Sequence, residues 1–265
     1  MKKIAFLLVM FFAFWGNVSA SEDKGAVHKA PKTYIASVKR LKSIHHELNE
    51  LTKKHQLYKF HEPLELFDAI LAVLPGKAED DIYNAMRANI DSIESGLMTT
   101  AERIDHAADE GELKVFARHV KELNKYIGKL NVYLELSNER KIGLGHNVPK
   151  TYKRMLHRLR GVHSSLSEMT ASGHLYKAHD DVEHVKVIGQ NLRKVFEANI
   201  IAALQDTLIT NRNKLTSFSR KLHRASDEED RAIAMKAFTP DVANALSALK
   251  SLGRKLPSNN KNHHH

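Results

Sequence analysis

Shifted by 118 residues, the chain matches itself. Pro31-Lys32-Thr33-Tyr34 falls on Pro149-Lys150-Thr151-Tyr152, and Leu57-Tyr58-Lys59 with His61 falls on Leu175-Tyr176-Lys177 with His179. Between residues 31 and 65 the register gives 15 identities in 35 positions without a gap, where unrelated segments would share roughly two or three. The match continues faintly through Ile70 and Ile188, Leu74 and Leu192, Leu97 and Leu215, and Asp109-Glu110 and Asp227-Glu228, with one extra residue before Val242. An internal duplication restricts the architecture to two copies of one unit, and residues kept in both copies have a shared role.

Each copy reads as helical. Tyr34, Val38, Leu41, Ile44, Leu48 and Leu51 recur at the three-and-four spacing of a helix with one buried stripe. Leu57, Phe60, Leu64, Phe67, Leu71 and Leu74 make a second stripe, which Pro75-Gly76 is expected to stop. A third runs from Ile82 to Ile104 and a fourth from Leu113 to Leu134. The second copy repeats the first two, but between Gly189 and Pro240 it has neither Pro nor Gly, so a break near Arg193-Lys194 and one long helix both remain open. Short connections make neighbouring helices antiparallel. The expected fold is all-α, two tandem antiparallel four-helix bundles: copy one over 31–140, a linker over 141–147 and copy two over 148–256.

The ends of the chain carry other signals. Lys2 and Lys3, an apolar run from Ile4 to Trp15 and Val18-Ser19-Ala20 have the layout of a secretory signal peptide over residues 1–20. Residues 21–30 then form an N-terminal linker, 257–265 a tail, and the mature chain is periplasmic or secreted, with no transmembrane segment after cleavage. There is no cysteine, which excludes disulfides, thiolate chemistry and a lipid-modified cysteine. Removing residues 1–20 leaves 39 basic against 31 acidic residues, a charge of +8. The charges are interspersed, so nucleic acid is not the expected partner; an acidic envelope protein fits better.

Histidine is abundant. Of 17, three close the chain as His263, His264 and His265, leaving 14. Only two positions recur in strict register, His45 with His163 and His61 with His179; Glu65 recurs as Glu183. Measured from a turn at about residue 56, His45 lies roughly 16 Å down its helix, His61 roughly 7 Å and Glu65 roughly 13 Å. Each copy therefore offers a His, Glu, His set on its first helical hairpin: His45, Glu65, His61 and His163, Glu183, His179. Two imidazoles and a carboxylate suit Zn²⁺ or Cu²⁺ with water completing the shell. The competing reading is structural, with imidazoles that flank the apolar stripe, a His–Glu contact kept for packing, and a Leu-Tyr-Lys turn whose tyrosine packs across the bundle end. No nucleophile, paired acid and base or phosphate loop can be placed, so an enzyme is not expected.

The stretch Ile104 to Leu123, with Ala107-Ala108-Asp109-Glu110-Gly111 at its turn, resembles the last hairpin of exported b-type cytochromes that fold as four-helix bundles. The resemblance implies a four-helix fold and, in that family, haem held by a Met of the first helix and a late His of the fourth. Here the first helix has no Met, and Asn131 and Tyr133 stand where the late His would be. Haem would need another pair, such as His61 with His119. The leading expectation is thus a non-enzymatic helical protein holding a metal ion in each copy, with an interaction module of basic helical surface as the alternative and haem binding as the second.

Overall fold

The computed structural model describes residues 30–144 and 148–254. The leader expected at residues 1–20, the residues from 145 to 147 in the expected linker and the terminal histidines lie outside them. The fold is all-α. Its helices are α1 (Tyr34–Lys53), α2 (His61–Ala78), α3 (Asn84–Asp109), α4 (Leu113–Asn131), α5 (Tyr152–Ser172), α6 (His179–Phe196), α7 (Ala202–Asp227), α8 (Arg231–Ala237) and α9 (Pro240–Arg254). Elements that begin at 34, 57, 61, 79 and 84 begin again at 152, 175, 179, 197 and 202, each 118 residues later.

The recurring Pro-Lys-Thr-Tyr explains itself. Thr33 and Thr151 cap α1 and α5, their hydroxyls accepting from the amides of Ala36 and Arg154. The following tyrosines are buried. The Tyr34 hydroxyl donates to the carbonyl of Leu249 at 3.0 Å and that of Tyr152 to Leu130 at 2.7 Å. Each tyrosine reaches into the last helix of the other copy.

Those two bonds are symptoms of a general exchange. α1 packs on α2 and α9, and α7 on α2 and α9, closing one bundle from the first hairpin of copy one and the last elements of copy two. α3 packs on α4 and α6, and α5 on α4 and α6, closing the other. The bundles are therefore not one per copy, as the order along the chain suggested; the copies interdigitate.

The cause lies in the second helix of each copy. Pro75-Gly76 does not stop α2: a π-helical turn, Glu79–Tyr83, joins it to α3, and Glu197–Ile201 joins α6 to α7 in the same way. Residues 61–109 thus form one rod of about 73 Å, and 179–227 another. The two run antiparallel, and their midpoints form the waist of the molecule. Proline removes the amide that would bond the carbonyl four residues back. Here that carbonyl, of Leu71, accepts instead from Arg212 Nε of α7 at 2.8 Å.

Polar groups fix the waist. Arg87 donates to Glu197 at 2.6 Å and to Glu79, glutamates at equivalent positions of the two rods. These bonds, that to Glu197 foremost, hold the guanidinium further in its charged form. The amide of Asn138, in the connection between the copies, donates to the carbonyl of Asn199 in the second π turn at 3.1 Å. The carboxylate of Asp81 in the first π turn accepts from the amide of Tyr34 at the start of α1, at 2.6 Å.

Candidate functional site

Among the six recurring polar residues, His61 and Glu65 meet, with Nε2 and Oε1 3.4 Å apart on the exposed surface of α2. His45 is drawn elsewhere. Half-buried on α1, its ring stands 5.4 Å from Phe218 and 5.3 Å from Phe238. Burial pushes its pKa down, and the charges of His46 and Lys42 add to that. His163 on α5 is half-buried and lowered by burial too. His179 turns from Glu183 to the neighbouring rod, with Nδ1 2.7 Å from Asp105 and Nε2 3.8 Å from Asp109. Glu183 is exposed, its charge acting on Lys186. The expected His, Glu, His sets are thus divided between an aromatic cluster and surface ion pairs. Among the described residues no group of three or more His, Asp and Glu side chains is placed to hold a metal ion. His61 and His119, the alternative haem pair, lie on different bundles; His119 is buried and bonded to Glu122 at 2.8 Å.

The recurring Leu-Tyr-Lys has a different role from the one its sequence suggested. In both copies it is a single 3₁₀ turn at the end of the molecule. The leucine is the residue that packs: Leu57 and Leu175 are buried. The tyrosine points outward, and Tyr58 and Tyr176 are each 72% exposed. Lys59 lies 5.5 Å over the Tyr58 ring and Lys177 5.7 Å over that of Tyr176. Packing across the bundle end therefore does not account for the tyrosine. A large aromatic ring held in water at equivalent places gains nothing for the core.

The surroundings of the two tips confirm their equivalence in place and their difference in detail. At the first, Ser226 of α7 donates to the Leu57 carbonyl at 3.1 Å, and Arg231 to that of Thr52 at 3.2 Å, so copy two braces the turn. A cavity of about 420 Å³ opens beside it, lined by Arg40, Glu47, Tyr58, Lys59 and His61 among others. At the second, His174 stacks edge-on against Tyr176 at 6.1 Å, and His179 is tied to Asp105. Asp105 lies 44 residues along the rod that His61 begins, so the tips stand about 66 Å apart. Their signal in the sequence is three consecutive identities at a turn, and the ring expected to pack across the bundle end is the exposed one.

The carboxylate of Asp105 is the most engaged titratable group near the second tip. Burial works against its ionisation, but the hydrogen bond and charge of Lys186, 2.9 Å away, and the neighbouring His179 outweigh it and hold the carboxyl below its ordinary range. No helix among the described residues is long and apolar enough to cross a membrane. No protein-family model, curated protein or solved structure matches the chain.

Proposed function

We propose that the protein is a non-enzymatic module of the cell envelope that holds one kind of partner at both ends, with Tyr58-Lys59 and Tyr176-Lys177 as the two grips. The observation that carries this reading is the recurrence of a Tyr-Lys pair, its two tyrosines equally exposed, at the two tips of the paired rods. A tyrosine presents a large stiff surface and a hydroxyl at small entropic cost, and a lysine beside it adds a charge that steers an acidic partner. His61 and Glu65 supply two donors, where zinc sites use at least three protein ligands, so this reading assigns the tips no metal.

A photoreactive phenylalanine placed at Tyr58, or separately at Tyr176, in the producing cell tests the reading. The same envelope protein should be captured from both positions, and Lys59→Glu or Lys177→Glu should diminish capture at its own tip. Two different partners, or none at either tip, would overturn it.

A further inference from the structure

The surface where α1 and α9 meet, next to the waist, is built differently from its counterpart in the other bundle. A cavity of about 280 Å³ opens there. Its floor is the buried Tyr34 ring, whose hydroxyl is already committed to Leu249, and the buried Val38, and its exposed apolar side is Ile35, which is 61% exposed. Its rim carries Lys39, Lys42, Lys250 and Arg254. Among the described residues none of these four cations has an ion-pair or hydrogen-bond partner. Arg254 ends the described part of α9, and residues 255–265 beyond it hold two lysines, three histidines and no acidic side chain.

The equivalent positions of the other bundle hold Lys153 in place of Ile35, His157 for Lys39, Arg160 for Lys42, Asn131 for Lys250 and Glu135 for Arg254. There the apolar residue is replaced by a charged one, an acid joins the rim, and Arg160 is bonded to Asn131 at 2.5 Å. Of the two equivalent surfaces, the α1/α9 one therefore sets the exposed side chain of Ile35 among four cations that have no partner among the described residues. Exposed apolar area favours a ligand with a hydrocarbon part, and four cations without a partner among the described residues favour an anion at its end.

We infer that the α1/α9 cleft binds a single-chain anionic amphiphile, an acyl chain ending in a carboxylate, with the chain along Ile35 and Val38 and the carboxylate among Lys39, Lys42, Lys250 and Arg254. This site is independent of the two tips, and both can be tested in the same full chain.

The probe is dodecanoate below its micellar concentration, titrated calorimetrically into the full chain, with dodecyltrimethylammonium and dodecanol as chain-matched controls. One dodecanoate per chain should bind, weakening as salt rises, while the cationic probe does not bind. Lys42→Glu with Lys250→Glu should weaken binding more than tenfold, and Lys121→Glu with Lys125→Glu on α4, an equal change of net charge, should alter it less than twofold. Ile35→Ser, at a site exposed enough to leave the fold intact, should weaken it about fivefold, and it serves in place of the charge reversal should that variant misfold. Equal binding of the anionic and cationic probes, equal losses in the two double variants, or binding only to anionic vesicles and not to monomeric dodecanoate would overturn the inference.

Discussion

The two bundles have the same plan and different interiors. Where the bundle of α1, α2, α7 and α9 places Phe218 and Phe238 around His45, the bundle of α3 to α6 has Thr100 in place of Phe218 and His163 in place of His45. Phe218 also stands 5.8 Å from Phe67 and 5.2 Å from Phe238, so the first bundle has an aromatic centre of four rings. Between the rods the contrast is one of sign. Asp68 pairs with His223 at 2.9 Å, and at the same pair of positions in the other bundle Lys186 pairs with Asp105 at 2.9 Å, acid and base exchanged. The fourth helix differs as well: α4 is continuous, whereas its counterpart is divided into α8 and α9 around Phe238-Thr239-Pro240, which turns Phe238 inward. What the copies keep alike is the helix caps, the clasping tyrosines, the π turns and the exposed tips. Topology and the outer contacts are held constant while the core is free to be repacked, because a core needs only compatible volume.

The sharpest way to break this comparison is in the aromatic centre. Phe218→Ala should cost about 3–5 kcal/mol in denaturant unfolding, against about 1 kcal/mol or less for Thr100→Ala at the corresponding place. Equal losses would mean that the two interiors are not energetically distinct. Next is the proline in the first rod. Arg212→Met leaves the Leu71 carbonyl without its donor and should cost about 1–2 kcal/mol. In a Pro75→Ala background the backbone amide is restored, so the same substitution should cost clearly less; an unchanged cost would show that Arg212 acts through something else.

The histidines sharpen the contrast by pH. Burial lowers the pKa of His45 and of His163 in the folded protein, so the unfolded chain binds protons first as the pH drops. Their contribution is complete above the unfolded value of about 6.5 and is lost as the pH falls from there through the folded values. The melting temperature of His45→Phe should therefore fall less than that of the parent between pH 7 and pH 5, with a smaller relief from His163→Phe, since His45 is the more buried and has charged neighbours. A pH slope unaltered by either substitution would refute this origin. The smallest effects concern turns. His55 and Glu229 adopt positive φ, and at the matching positions the other copy has Gly173 and Gly111. Glu229→Gly should raise stability by about 0.5–1 kcal/mol, whereas Gly111→Ala should lower it by a similar amount, both read from thermal melts.

Helices, their buried faces and their recurrence were legible because a 3.6-residue period is a local property. Which stripe meets which was not. The stripe of α2 says that it needs a partner, and nothing in its own residues distinguishes α3 from α7. Pro75-Gly76 was misleading for a related reason, since the donor that makes the proline tolerable comes from Arg212, 137 residues away. The tips illustrate the limit on the side of function. Leu57 and Tyr58 are both plausible core residues, and only the geometry of the 3₁₀ turn decides that the leucine goes in and the tyrosine out. His45 sat correctly on the edge of its stripe, yet its neighbours Phe218 and Phe238 belong to the other copy, beyond the reach of reasoning confined to one hairpin.

The interdigitation also determines how the molecule is held together as an assembly. A chain ending after α4 would carry two half-bundles with no cover, and a second such chain would satisfy both by the same contacts, as a swapped dimer does. Joining the copies through residues 132–151 turns that bimolecular encounter into an intramolecular one, at an effective concentration on the order of millimolar. Lengthening the connector at Gly143, clear of the buried Tyr133 and of the Asn138 bond to Asn199, should then be nearly free, since each doubling of a loop costs about 0.6 kcal/mol. Cutting it would make the melting temperature depend on how much protein is in the tube.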